Sequence, residues 1–340
     1  MASQRLCYLK ILGLIKNACQ NSAFPPASMP SVLASPARIK FWGTRGSIAV
    51  PGSGTLRFGG NTTCVEVRAD GEMIVLDAGS GIRPLGVALD NEFGAQPIKL
   101  SLLITHAHWD HIQGLPFFKQ AYNQKNEIRI LGFDGAGAGF REIMAEPMRA
   151  PFFPIAMREL SGKIDISRLS EMTFSLGKVQ VHAIFVNHPG VCAGYRLFTS
   201  AGSIAFLPDH EPYEFFLHSA RGNKMGPEQA KKTAADGHEA LVQFLHGSDI
   251  LILDAQYTDE EYQRHIGWGH ASVSSAVALA LDAEVHKLLL FHHDPGHDDQ
   301  MVDKMLESAR ALVAKSGQSM EVEAAQEGTE ILLEAKMAAA

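Results

Sequence analysis

Leu102-Leu103-Ile104-Thr105-His106-Ala107-His108-Trp109-Asp110-His111 is the stretch that decides how this chain is read. An apolar run of strand type ends in four metal-binding side chains packed into six residues. In extended backbone, residues two apart point the same way, so His106 and His108 can hold one cation together. The turn that follows can present Asp110 and His111 to a second cation close by. Imidazole and carboxylate donors suit Zn(II), Mn(II) or Fe(II). Four donors placed directly after a buried strand are hard to explain as an accident of loop composition.

Working outward, short apolar runs recur at Ile39–Trp42, Thr63–Arg68, Met73–Asp77, Leu100–Thr105 and Glu127–Leu131. They continue at Val179–Val186, Ala193–Thr199, Ser203–Leu207, Ile250–Asp254 and Lys287–His292. Each is rich in β-branched or large apolar residues and bounded by turn formers, which predicts strands. Helical periodicity marks Glu228–Leu245, Ser272–Ala283 and Asp298–Ala314. Strands in both halves with helices between them predict a layered α/β or α+β domain. Several runs end in a polar pair: Leu76-Asp77, Thr105-His106, Asn187-His188, Pro208-Asp209, Asp254-Ala255 and Phe291-His292. Strand ends are where a rigid sheet can aim ligating groups into a common cleft. His188, Asp209 and His292 thereby become candidates to complete two coordination spheres.

The 340 residues carry a net charge of −7, and the 46% hydrophobic content allows a sizeable core. A nucleic-acid footprint normally shows as a basic face or stripe. No long Lys/Arg run occurs, so a nucleic-acid polymer is disfavoured as a partner. Cys7, Cys19, Cys64 and Cys192 form no Cys-x-x-Cys pair. They read as free thiols of a reducing, cytoplasmic compartment. Residues 1–37 read as a flexible leader and 336–340 as a tail. No apolar segment is long enough for a membrane-spanning helix.

With those motifs in hand, the chain from about Arg38 to Ala335 resembles the metallo-β-lactamase-fold superfamily. The matching residues are the His106-x-His108-x-Asp110-His111 block, His188, Asp209 after its apolar strand, and the terminal His292. The resemblance implies one α+β domain over 38–335, with an insertion at about 210–248. Its fold is an αββα sandwich, two facing mixed sheets flanked by helices, with two divalent metal ions at one edge. Zn(II) is the first choice of metal. By position, His106, His108 and His188 look like ligands of one ion; Asp110, His111 and His292 look like ligands of the other, with Asp209 bridging. His293 is the alternative to His292. No Cys stands at the Asp209 position, which argues against β-lactam hydrolysis.

Gly267-Trp268-Gly269-His270-Ala271-Ser272 resembles the His-Ser-Thr element of the phosphodiesterase and tRNase Z branch, where the His contacts the scissile phosphate. The Gly-rich stretch Phe41–Thr63 resembles the opening of cyclic-nucleotide phosphodiesterase-like members, and Arg45 or Arg57 could face phosphate or serve a structural ion pair. The implied activity is hydrolysis of a small, cyclic nucleotide or cyclic phosphate by a metal-bridging hydroxide, with Asp110 orienting it and His270 protonating the leaving alkoxide. A lactonase or thioesterase of the same fold is one alternative. A tRNA 3′-processing endonuclease is another, although no tRNA-gripping insertion is visible. Homodimerisation is open on resemblance alone.

Overall fold

The computed structural model describes residues 35–335, except 136 and 219–221. The leader therefore lies outside the described residues over 1–34, as does the tail at 336–340, while Ala37 already belongs to the first strand.

Fourteen strands form two seven-stranded sheets among the described residues. The first contains β1 (Ala37–Gly43), β2 (Cys64–Ala69), β3 (Glu72–Leu76), β4 (Lys99–Leu103), β5 (Glu127–Gly132), β6 (Lys163–Arg168) and β14 (Glu330–Leu333). The second contains β7 (Thr173–Leu176), β8 (Val179–Phe185), β9 (Ala193–Thr199), β10 (Gly202–Leu207), β11 (Ile250–Asp254), β12 (Lys287–Phe291) and β13 (Glu321–Ala324). The orders are β14-β1-β2-β3-β4-β5-β6 and β13-β12-β11-β10-β9-β8-β7. Both sheets are mixed: β3 to β6 and β10 to β13 run parallel, while the remaining pairs are antiparallel.

Side-chain alternation explains the layering. Ile250 and Ile252 belong to the cluster between the sheets, with Ile39, Phe41, Val67, Ile74, Tyr195, Phe206 and Phe291. Their neighbours Leu251 and Leu253 face outward under helices Pro227–Leu245, Val273–Asp282 and Asp299–Ser316. Helix Ile82–Phe93 covers the outer face of the first sheet over Val75, Leu100, Leu102 and Ile130. Strands covered on both faces read as continuous apolar runs, as in Ile250–Leu253 and Leu288–Phe291. The result is the expected αββα sandwich.

Residues 210–248 supply the connection between β10 and β11. Those strands pair in parallel, and a parallel pair cannot be closed by a tight turn. The helix Pro227–Leu245 makes that crossover. The two sheets are tied at their edge by the Ala193 N–H donating to the Thr105 carbonyl (3.0 Å) and the Tyr195 hydroxyl donating to the Ile104 carbonyl (2.7 Å). The turns that carry the candidate ligands start from this edge.

Candidate metal centre

Asp77, His106, Asp209, Asp254 and His292 all stand just beyond or at the carboxyl ends of parallel strands. That is where open α/β sheets place their binding crevices. The sites are close enough to act together. Ligand atoms of His106, His108, His188 and Asp209 lie within 4.8 Å of one another; so do those of Asp110, His111 and His292, and those of Asp209, His270 and His292. All seven expected metal donors are thus brought to one place, joined by His270, and Asp209 stands between the two halves. Its Oδ2 is 3.5 Å from His106 Nε2 and 3.6 Å from His188 Nε2, while Oδ1 is 3.1 Å from His111 Nε2 and 3.2 Å from His292 Nε2.

Three of the rings are aimed by a bond on the far nitrogen. His111 Nδ1 donates to Asp77 Oδ2 (2.8 Å), and Asp77 also accepts from the Thr105 backbone N–H (2.8 Å). His188 Nδ1 donates to the Gly269 carbonyl (2.8 Å), and His292 Nδ1 approaches Gln256 Oε1 (2.9 Å). All three turn Nε2 toward the other donors of the cluster. Partners of this kind set the tautomer and orientation of ligating imidazoles. Asp110 is held by the Ser47 N–H (2.8 Å), delivered by a Ser47 backbone at φ 63°. Of His292 and His293, it is His292 that faces the other donors; His293 Nε2 is bonded away from the cluster, to the Ala325 carbonyl at 2.9 Å.

The donor set fits metal ions on physical grounds. His106 Nε2, His111 Nε2 and Asp209 Oδ1 are buried with no hydrogen-bond partner. Such orphans are costly unless something else satisfies them. Burial holds His106 well below the ordinary imidazole range and lowers His188 to about 3, so both are neutral with a lone pair to give. Burial opposes charge on Asp110 and Asp209, yet the facing imidazoles, His111 foremost, outweigh it and keep both carboxylates ionised. Burial likewise opposes protonation of His111, but Asp110, Asp209 and Asp77 outweigh it and push that ring up. Ionised carboxylates that draw His111 toward its charged form, beside neutral His106 and His188, call for positive charge at the centre, which divalent cations would supply.

Beside this cluster stands a second pair, His270 and Asp254. His270 Nδ1 lies 2.8 Å from Asp254 Oδ2, and its ring stacks on His292 at 4.9 Å. Burial pulls the His270 imidazole down, but Asp254, then Asp209 and Asp110, raise it to about 9. Asp254 is itself completely buried and accepts from the backbone of His210, Gln256 and Ala271.

Asp77, Asp254 and Gln256 hold rings of the cluster and of His270 in place, contacts that the motif reading did not assign. The His210-Glu211 segment that follows Asp209, by contrast, reads from the sequence as support at the cleft mouth. Asp77 and Asp254 were visible as polar ends of apolar strands; nothing in the chain marked Gln256. Glu211, from the His210-Glu211 pair, accepts from the Tyr262 hydroxyl (3.0 Å) and from the Gly267 N–H, and so anchors the loop that bears His270. Arg45 and Arg57 are structural. Arg45 is fully buried against the carbonyls of Gly59, Asp294 and His297, and Arg57 pairs with Asp303.

Fold and donor set define the class as a metal-dependent hydrolase on a metallo-β-lactamase scaffold. Residues 57–200 match the family model of the metallo-beta-lactamase superfamily, and the chain carries a domain of that superfamily. The ribonuclease Z of Haloferax volcanii is 24% identical over 328 residues, spanning 84% of this chain and 95% of the relative. A diphosphatase from the PhnP family superposes with a TM-score of 0.58 at 16% identity, covering 90% of this chain and all of the other. The short form of human tRNase Z gives a TM-score of 0.55 at 18% identity, covering 87% and 99%.

The ribonuclease relatives overturn the expectation that a nucleic-acid polymer is disfavoured. The physical reason is that a net charge averages the whole surface. Phosphates approaching this cleft would instead meet a local cluster of His and Asp donors that could hold divalent cations. Among the described residues no helix is long and apolar enough to cross a membrane.

Proposed function

We propose that this chain is a dinuclear-metal phosphodiesterase. One observation carries the reading: a buried imidazole, His270, is held protonated by Asp254 within reach of both Asp209 and His292. His106, His108 and His188 would hold one ion, Asp110, His111 and His292 the other, and Asp209 both. Two bound cations supply an acidified water and neutralise phosphate oxygens. The remaining work belongs to side chains. Asp110, fixed by Ser47, orients the nucleophile. His270 gives its proton to the departing alkoxide, a poor leaving group that benefits from a positioned acid. Asp254 keeps the His270 ring in one tautomer and stabilises its charged form.

Phosphodiester chemistry is favoured over lactone or thioester hydrolysis because a cationic acid facing an anionic substrate serves the former best. A small, cyclic nucleotide or cyclic phosphate is the substrate inferred from the chain's opening. RNA 3′-end processing is a second reading, supported by the ribonuclease Z of Haloferax volcanii. The test is a panel assayed with metal-reconstituted protein: bis-p-nitrophenyl phosphate, 3′,5′-cyclic nucleotides, a precursor tRNA with a 3′ trailer, and lactones. Turnover of any phosphodiester that collapses in His270→Ala is expected. Inactivity on every phosphodiester beside active lactone hydrolysis would overturn the reading.

A further inference from the structure

Three tryptophans occur in the chain, and two of them are strongly exposed: Trp109 at 62% and Trp268 at 61%. Both adjoin the candidate centre in sequence. Trp109 stands between His108 and Asp110; Trp268 precedes Gly269 and His270. The third, Trp42, is half-buried, with its indole N–H on Glu66 and the Lys40 ammonium over its ring. Neither indole is buried in the core, and exposed apolar surface beside a polar cleft marks a binding face.

Both residues are held on fixed backbone. Trp109 opens the helical turn Trp109–Ile112, and its carbonyl accepts from Gln113. Trp268 rides on the loop that Glu211 anchors through Gly267, and its N–H donates to the His265 carbonyl. Its ring sits edge-on to His265 at 4.8 Å; His265 stacks flat on Tyr257 at 4.3 Å; Tyr257 reaches His270 at 6.2 Å. A continuous aromatic ladder therefore runs from the acid to the exposed indole. His108, the chain neighbour of Trp109, is exposed, while His106, His188 and Asp209 beside it are buried.

We propose that Trp109 and Trp268 form the specificity-determining face of the site, stacking on the nucleobase attached to the scissile phosphate. The proposal rests on the phosphodiesterase reading and names its substrate class: a nucleotidyl ester rather than a simple alkyl one. Stacking suits a chain of net negative charge, because every base offers a π-face and the contact needs no basic surface. The fold-change expected for losing one stacked base is about tenfold or more.

The test compares thymidine 5′-p-nitrophenyl phosphate with methyl p-nitrophenyl phosphate in wild type, Trp109→Ala, Trp268→Ala and Trp268→Phe. The alanine variants are expected to raise KM for the thymidine ester about tenfold, with a clearly smaller change for the methyl ester, and Phe to restore most of the loss. Thymidine monophosphate is expected to quench the wild-type tryptophan fluorescence, and inorganic phosphate is not. Equal losses on both esters would overturn the proposal. So would a fluorescence blue shift that depends only on protein concentration, which would give the face to a second copy of the chain. Should wild type cleave neither ester, the phosphodiesterase reading fails instead, and the fluorescence titration still decides whether a base binds here.

Discussion

His270 and Asp254 are sixteen residues apart in the chain and 2.8 Å apart in the fold, through Nδ1 and Oδ2. Asp254 closes β11, whereas His270 sits on the loop before helix Val273–Asp282, so the pair couples a rigid strand to the loop that carries the proposed acid.

From this pair follows a pH prediction. The His270 imidazole is raised to about 9, so its acid form is complete at neutral pH and is lost as pH rises through that value. Bound cations are positive and draw the limb down from 9. Replacing Asp254 with Asn removes the main stabilising charge, so the alkaline limb of kcat should move further toward neutral pH. Activity at pH 8 should fall by up to roughly a hundredfold, the low end of what a positioned acid supplies. A pH–kcat profile of Asp254→Asn with an unmoved alkaline limb would show that Asp254 does not set the acid.

Why the sequence singled out the seven candidate donors but not this pair is a matter of spacing. His106, His108, Asp110 and His111 share one short segment, and His188, Asp209 and His292 each end an apolar run that announces a strand. Asp254 ends such a run too, yet its partner lies on an irregular loop whose path no periodicity specifies. The fold shows the same division. Strands covered on both faces, such as Ile250–Asp254, were legible from their apolar runs. The edge strand β14, Glu330–Leu333, is half solvated, and its sheet neighbour is distant in sequence, so it gave no usable signal. Helix Ile82–Phe93 was masked by Pro84 and Gly86; Pro84 is tolerated because it lies in the first turn, where N–H groups have no partner within the helix.

Asp209 is predicted to control metal content more than any single imidazole. Its two oxygens face His106 and His188 on one side and His111 and His292 on the other. Asp209→Asn should therefore lower bound metal from two equivalents to one or none, as measured by elemental analysis. Stripping metal from wild type should also lower the thermal midpoint. An ion present at roughly a hundred times its dissociation constant contributes about 2.7 kcal/mol to the folded state. An unchanged midpoint after chelation, with metal loss verified, would mean that the cluster stands without cations.

Gly269 tests the link between the metal cluster and the acid loop. Its φ is +96°, and a Cβ there would stand 2.3 Å from Pro189 Cδ and 2.4 Å from His188 Nδ1. Its carbonyl is also the acceptor that aims His188. Gly269→Ala carries the strain of a left-handed residue, about 1–3 kcal/mol, and must also displace a ligand ring. The variant should fold with a lower thermal midpoint and weaker metal affinity. Wild-type affinity in a folded Gly269→Ala would separate the loop from the ligand.

Arg45 is the residue on which the last ligand depends most indirectly. Its guanidinium donates to the carbonyls of Gly59 (2.7 Å), Asp294 (3.0 Å) and His297 (2.7 Å), with no solvent exposure. The adjacent backbone pairs with the His292 turn: Gly46 N–H donates to the His293 carbonyl and His293 N–H to that of Thr44, each at 3.0 Å. A planar fork can reach three carbonyls at once, whereas an ammonium on a flexible stem cannot hold the same geometry. Arg45→Lys should consequently behave more like Arg45→Met than like wild type. Both should lose about 3 kcal/mol or more of stability, because buried carbonyls are left without donors. The metal held by Asp110, His111 and His292 should be lost first, since His292 is the ligand on the released turn. Equilibrium denaturation and stepwise metal titration of the two variants measure this, and an Arg45→Lys protein with wild-type stability would refute the clamp.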